Sequence, residues 1–354
     1  MNLIVGTNNA GKTSVLEAVH ILQATGEYSP IWATLARRGE DFDEREANSF
    51  IRQVDVRRLF HGHGVAIGSR LKIGADTDAG GKLFEAFIAE PNQVPPAGQP
   101  RLFDTTEPPV DMDFVARPAA FGLHWHNGTD VSALLALTNR GGLTSDVLRP
   151  PARATEVQRV PIRFITASSL SPDVVIDLFG EVVLTPDENF VVEALKIIES
   201  SIERIATSGT ERRRATLNRV NVRGGLLVRC RGVRDRIPIG SMGDGIWRIL
   251  GLALALARTA NGILLVDEID TGLHYSVLEN MWKLVSQTAK KHNIQVFATT
   301  HSRDCFESLA SVRRGHVSAG SEVTIQRVER HSAQSVAYTE QEIVAAAERG
   351  MEVR

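Results

Sequence analysis

The chain has 354 residues, 43% hydrophobic and 23% charged, with a formal net charge of −2. That suffices for one large or two lobed domains, and it gives no overall pull toward nucleic acid, so any such contact must come from a local patch. Two cysteines, Cys230 and Cys305, lie far apart without metal-ligand spacing, which excludes a disulfide framework and points to a reducing compartment.

The first five residues, Met1-Asn2-Leu3-Ile4-Val5, read as a buried strand. Gly6-Thr7-Asn8-Asn9-Ala10-Gly11-Lys12-Thr13 follows at once and satisfies G-x-x-x-x-G-K-[ST] at every fixed position. Gly6 and Gly11 let the backbone wrap a polyphosphate, so that successive N–H groups and a helix N-terminus point at it. Asn8, Asn9, Ala10 and Ser14 complete the expected cradle. Lys12 is expected on the β- and γ-phosphates of ATP, and the Thr13 hydroxyl on Mg²⁺. Residues 14–22 read as a helix with Val15, Leu16, Val19 and Leu22 on one apolar face.

Residues 26–60 are mixed and charged, with Arg37 to Asp41 expected in a connecting segment. Short alternating runs over 65–89 suggest antiparallel strands. Residues 91–118 and 141–151 read as loops, and 161–165 as a strand. Helices are expected over 171–179 and 187–206, the second from the spacing of Val191, Leu195, Ile198 and Ile202. Residues 216–239 return to strand-like alternation, with Gly224-Gly225 as a hairpin turn. A helix over 242–258, a strand over 263–266, a helix over 277–290 and a strand over 294–298 complete the reading.

Ile263-Leu264-Leu265-Val266-Asp267-Glu268 is a buried parallel-strand pattern ending in two carboxylates. Asp267 is expected to hold Mg²⁺ through water, and Glu268 to orient or deprotonate the attacking water. The strand over 294–298 leads to Thr299-Thr300-His301, where a histidine can reach a γ-phosphate. Ser241-Met242-Gly243-Asp244-Gly245 opens a helix just before the acidic strand, and Ser241, Gly243 and the helix start form an anion-binding concavity. One phosphate loop already serves this chain's own nucleotide, so a second such site suggests a nucleotide held by another subunit. The plainer alternative is an ordinary helix start with Ser241 as its N-cap.

Together, these segments and Thr271-Gly272-Leu273-His274 resemble the ABC-type ATPase heads of SMC-, RecF- and OLD-like proteins, and most nearly the OLD-like AAA-type ATPases of prokaryotes. The resemblance implies an α/β P-loop NTPase of the ABC-ATPase head type, with a mixed central sheet, an antiparallel β lobe and a helical signature lobe. Residues 1–25 and 237–305 would form the nucleotide-binding core of a single domain. Residues 60–165 would form the β-rich lobe, 170–236 the helical lobe with an Arg-rich hairpin, and 306–354 a C-terminal extension.

By the same resemblance Glu268 and His301 take the catalytic and switch roles. Ser241 and Gly243 close on the opposite subunit's γ-phosphate in an ATP-sandwich homodimer, and residues 270–274 cross the dimer axis. The implied output is ATP hydrolysis driving a partner in DNA-related phage defence or repair. OLD nucleases carry a Toprim domain after the ATPase; too few residues follow His301 for one, so a nuclease effector would be a separate polypeptide. The family also has roughly 20–30 residues before the phosphate loop, which implies a start upstream of Met1. No glutamine loop can be assigned among Gln93, Gln99 and Gln158.

Two rival readings remain. A nucleotide-gated scaffold with incidental turnover is opposed by Glu268, and a transporter's nucleotide-binding subunit by the non-standard signature. Arginines crowd the stretch from Arg212 to Arg236, which suits a phosphate backbone but equally a solvated strand face or a dimer-facing surface. His61-x-His63 and His124-x-His126 have metal-like spacing, yet no carboxylate cluster accompanies them in sequence, so surface or core histidines are the simpler reading. The N-terminus lacks a signal-peptide pattern and no apolar stretch is long enough to span a bilayer, so a cytoplasmic protein without membrane partners is expected.

Overall fold

The computed structural model describes residues 1–46, 49–77, 80–90, 119–128, 130–138, 140–145, 160–208, 225–314 and 323–349. In chain order the elements begin with β1 (Asn2–Val5), α1 (Lys12–Gln23), α2 (Ser29–Arg37), β2 (Asp41–Glu46), β3 (Ser49–Asp55), β4 (Arg70–Thr77), β5 (Gly80–Ala89), β6 (Ala120–His126), β7 (Asp130–Ala136) and β8 (Gly142–Thr144). There follow β9 (Ile162–Ile165), α3 (Pro172–Val182), α4 (Pro186–Leu195), β10 (Ile202–Thr207), β11 (Leu226–Cys230), β12 (Ile237–Pro238) and α5 (Asp244–Ala257). The chain ends with β13 (Ile263–Val266), α6 (Tyr275–Lys291), β14 (Gln295–Thr300), α7 (Arg303–Arg313), β15 (Thr324–Arg327), β16 (Val336–Tyr338) and α8 (Glu340–Glu348). Two compact units result: Met1–Leu16 with Val160–Arg354, and Glu17–Arg159.

The first unit is of the α/β class. Its six-stranded sheet runs β16-β15-β1-β14-β13-β9. Every neighbouring pair is parallel except β15–β16. β13 is buried along its whole length, as a strand covered on both faces must be. The residues after His301 supply β15 and β16, so this C-terminal part completes the sheet beside β1. α5 is buried from Ile246 to Ala257 and packs within the same core as Val266, Val296 and Trp282. The tryptophans are core residues whose N–H groups are satisfied: Trp247 Nε1 donates to Leu170 O at 3.2 Å and Trp282 Nε1 to Cys305 O at 2.9 Å.

The helix expected over 187–206 is two elements. α4 ends at Leu195, and Ile202 lies in β10, antiparallel to β11. The register shifts between Ile202 and Arg204, so this bulge turns both Ile202 and Ile205 inward although they stand three apart. A spacing that mimics a helix is here a bulged strand. Residues 209–224, with the expected turn residue Gly224 and the arginines from Arg212 to Arg223, lie outside the described residues. So do Gln93, Gln99 and Gln158 and the loop read over 91–118. Of the apolar face expected on α1, Leu16 and Leu22 are buried and Val19 is half-buried, while Val15 is exposed.

In the second unit a four-stranded antiparallel meander, β4-β5-β6-β7, accompanies a three-stranded sheet, β2-β3-β8. The strands read over 65–89 form as β4 and β5. The mixed stretch from 26 to 60 holds α2, β2 and β3; Arg38, Gly39 and Glu40 connect α2 to β2 as expected, while Arg37 ends the helix and Asp41 begins the strand. Within the segment read as a loop from 141 to 151, Gly142–Thr144 forms β8 against β3. Gly142 is there for proximity, since a Cβ on it would fall 2.1 Å from Gln53 Oε1. Trp125, fully buried, donates to Ile21 O of α1 at 3.0 Å.

His20, on the α1 stretch of this unit, has a pKa lowered to about 4, first by burial and then by Arg37. The unfolded chain takes up this proton near pH 6.5 while the folded chain resists it. Stability should therefore be full above pH 6.5 and fall as pH drops toward about 4, by ~3 kcal/mol from this group. Urea midpoints at pH 7 and pH 4.5 check this; His20→Gln should lose less on acidification than the wild type.

Candidate nucleotide-binding site

Three parallel strands deliver the site from their carboxyl ends, where ligands bind in open α/β sheets. β1 passes into the glycine loop, which needs left-handed backbone at Asn9 (φ 61) and Gly11 (φ 94). Gly6 (φ 148) is fixed by crowding as well: a Cβ there would sit 2.3 Å from Val328 O, on the chain just after β15. α1 then starts at Lys12. Thr7, Asn8, Asn9, Gly11, Thr13 and Ser14 are exposed, with Ala10 half-buried, so the loop and helix start are open to a ligand.

Lys12 is 8% exposed, and its ammonium donates to Gly6 O at 2.9 Å and Thr7 O at 2.8 Å. Burial lowers its pKa, while Glu268 and Asp267 pull the other way. Thr13 Oγ1 donates to both oxygens of Asp267, at 3.0 and 3.2 Å. A hydroxyl and a carboxylate from residues 254 apart in sequence thus meet as hard oxygen donors, the set that Mg²⁺ takes in P-loop sites.

Glu268 follows Asp267 with a left-handed backbone, φ 47, a conformation costing of order 1–3 kcal/mol for a non-glycine residue. Its carboxylate accepts the Thr271 hydroxyl at 3.2 Å and lies 3.4 Å from His301 Nδ1. His301 is half-exposed at the end of β14. The structure therefore brings together Lys12, Thr13, Asp267, Glu268 and His301.

Ser241 and Gly243 take no part in the bonds that join that group. A 3-10 turn spans Ile239–Met242, and α5 begins at Asp244 with Gly243 (φ 91) as its N-cap. Ser241 is exposed and does not cap the helix, which removes the plain N-cap reading. The start of α5 packs closely on the loop after β13. A Cβ on Gly245 would lie 3.0 Å from Gly272 O, and one on Gly272 would lie 3.3 Å from Asp244 Cβ.

Arg248 belongs to no motif of the sequence. It lies one turn into α5, is 3% exposed, and spends its guanidinium on main-chain carbonyls. Nη1 donates to Thr166 O at 2.5 Å, Nη2 to Asp267 O and Glu268 O at 2.7 Å each, and Nε weakly to Ile269 O at 3.4 Å. Burial pulls its pKa down to about 10 against the pull of Asp270, Asp267 and Glu268, so it stays cationic at neutral pH. Its only sequence signal is a charge within an otherwise apolar helix face.

His124 and His126 both face Asp130 across β6–β7, at 3.3 and 2.6 Å. Among the described residues no group of three His, Cys, Asp or Glu could hold a metal ion. Among the same residues no helix is long and apolar enough to cross a membrane.

Residues 174–304 match the profile of a family described as "AAA domain, putative AbiEii toxin, Type IV TA system". The matched stretch includes Ser241–Gly245, Asp267-Glu268 and His301 but not the glycine loop. The chain is also similar to an ATP/GTP phosphatase of Helicobacter pylori, 30% identical over 98 residues, which is 27% of this chain and 26% of that protein. An uncharacterized protein of Methanocaldococcus jannaschii is 37% identical over 68 residues, 19% of this chain and 60% of its own. The chain thus aligns with about a quarter of the first relative and 60% of the second. Among solved structures, an Smc head bound to the C-winged helix domain of ScpA aligns over 96% of this chain and 90% of its own, with 14% identity and a TM-score of 0.45. An SMC head domain from Thermotoga maritima aligns over 96% and 89%, with 13% identity and a TM-score of 0.38.

Proposed function

We propose that this protein is an ABC-type ATPase that hydrolyses ATP between two copies of itself, joined head to tail. The observation that carries the reading is the meeting of Thr13 with the Asp267 carboxylate, beside Lys12 and Glu268. The glycine loop and the N-terminus of α1 would bind the polyphosphate. Lys12 would turn from the loop carbonyls to the β- and γ-phosphates. Thr13 and Asp267 would hold Mg²⁺, which when bound neutralises charge on the transferring phosphoryl group. Glu268 would take a proton from the attacking water, and His301, within reach of that carboxylate, would sense the γ-phosphate.

Exposed Ser241, which does not cap α5, and exposed Gly243, which sits at its N-cap with no side chain to close the helix end, support a second phosphate contact made toward a partner copy. Such a contact would be isologous, with each protomer completing the other's site. The packing of Gly245 on Gly272 makes this loop and the segment from 270 to 274 one surface for that partner.

A separate effector and a DNA-related role in defence or repair complete the proposal. The toxin–antitoxin wording of the matched family favours a two-protein system. The described arginines support an anionic partner: Arg204 and Arg229 stand directly opposite on β10 and β11, both exposed. Like charges in that position are unfavourable unless an anion lies over them. Glu203 lies 3.7 Å from Arg229 and 3.8 Å from Arg231 and offsets only part of this charge, with Arg234 and Arg236 exposed beyond.

Steady-state ATP turnover and light scattering with and without ATP-Mg²⁺ test the core reading. Wild type should turn over ATP and shift toward a dimer, and Ser241→Arg should lose both. Absence of turnover together with an unchanging monomer would refute it. Turnover measured with duplex DNA over a range of salt tests the anionic surface, and a flat response removes DNA as its partner.

A further inference from the structure

Thr299, the fifth residue of β14, is 0% exposed. The pairing of Val266 with Ala298 sets it beside Asp267 as the two strands end. Its hydroxyl donates to Asp267 Oδ1 at 2.7 Å and accepts the Glu268 N–H at 2.8 Å. A hydroxyl has one proton to give and two lone pairs. Here the proton goes to one member of the carboxylate pair and a lone pair to the backbone of the other.

Each bond fixes something the strand end alone leaves free. A carboxylate rotates about its terminal bond, with broad, roughly two-fold preferences. Thr299 engages Oδ1 from the β14 side, while the Thr13 hydroxyl spans both oxygens from the α1 side. Asp267 is held from two directions, and Oδ2, which among the described residues accepts only from Thr13 at 3.2 Å, keeps a lone pair for a further ligand. Glu268 has the left-handed backbone, and its N–H bond to Thr299 helps offset that strain. The neighbouring Thr300, also 0% exposed, does a separate job: it donates to Asp270 Oδ1 at 2.7 Å and accepts the Ser302 N–H at 3.0 Å.

We infer that Thr299 is a positioning residue for hydrolysis: it orients the Asp267 carboxylate toward the Mg²⁺ side and locks the backbone turn that aims Glu268. The inference rests on the nucleotide reading given above. It adds that β14 reports on the site through a buried hydroxyl as well as through His301.

The test compares Thr299→Val, which keeps the shape and removes both bonds, with Thr299→Ser, which keeps the hydroxyl. A fluorescent N-methylanthraniloyl ATP is titrated in EDTA and across a Mg²⁺ series, and ATP turnover is measured alongside. Thr299→Val should bind the analogue in EDTA like wild type, which also reports that the site is folded. It should need about 10-fold more Mg²⁺ for the metal-dependent gain in affinity and lose about 30-fold in kcat, as second-layer partners of metal ligands do. Thr299→Ser should restore both to within about threefold. A wild-type Mg²⁺ requirement and kcat in Thr299→Val overturns the inference, and so does a Ser variant as impaired as Val. A wild-type chain that neither binds the analogue nor turns over ATP would instead remove the nucleotide reading itself.

Discussion

Replacing Glu268 with glutamine is expected to lower kcat for ATP by about 10³-fold, the scale of a lost general base. Nucleotide affinity should stay within a few-fold, because glutamine keeps the shape and the acceptor oxygen for the Thr271 hydroxyl. Folding should change by no more than about 0.5 kcal/mol, since the side chain is partly exposed and no buried partner loses its bond. The variant should also accumulate the ATP-bound dimer, because closure would precede the step that is blocked. Single-turnover kinetics and light scattering on the same sample read both effects. Should Glu268→Gln retain more than about a tenth of wild-type turnover, another group takes the proton and the assignment fails.

Arg248 carries the second large effect, and it acts through structure first. Arg248→Met keeps much of the apolar stem in the core but leaves the carbonyls of Thr166, Asp267, Glu268 and Ile269 without this donor. Thr166 O and Glu268 O keep the N–H groups of Ser169 and Thr271, while Asp267 O and Ile269 O lose a charge-assisted donor, which should cost about 2–4 kcal/mol. The urea midpoint of the purified chain reads this loss. Turnover should fall as well in whatever fraction stays folded, because the same guanidinium fixes the backbone of both carboxylates. Arg248→Lys can satisfy only part of the set and should fall between the two. A Met variant within about 1 kcal/mol of wild type would mean that water replaces the guanidinium at these carbonyls.

Arg248 and Thr299 also show why the sequence was silent about them. Each acts on main-chain atoms or on a neighbouring strand's side chain, and such partners leave no spacing to read. The arginine looks like one charge in an apolar helix, and the threonine like the β-branched filling of a buried strand. The elements themselves were more legible where the pattern was purely local. The strand at 263–266 and the helix beginning near 242 form close to where their hydrophobic patterns put them. The exceptions have identifiable causes. At Ile202 and Ile205 a bulge converted a strand into an apparent helical spacing. Gly142 read as a loop residue because the need for close approach to Gln53 becomes visible only when β8 pairs with β3.

By itself, then, the chain's order of residues specified a glycine loop between a buried strand and a helix, and an acidic pair closing a second buried strand. Those patterns are contiguous, so backbone geometry and hydrophobic burial within a few residues suffice to define them. Folding alone decided that Thr13 meets Asp267, that Thr299 ties Asp267 to Glu268, and that Arg248 gathers the carbonyls beneath them. Those contacts depend on which parallel strands become neighbours and in what register, a choice made by burial of the whole sheet between its helices rather than by any short segment.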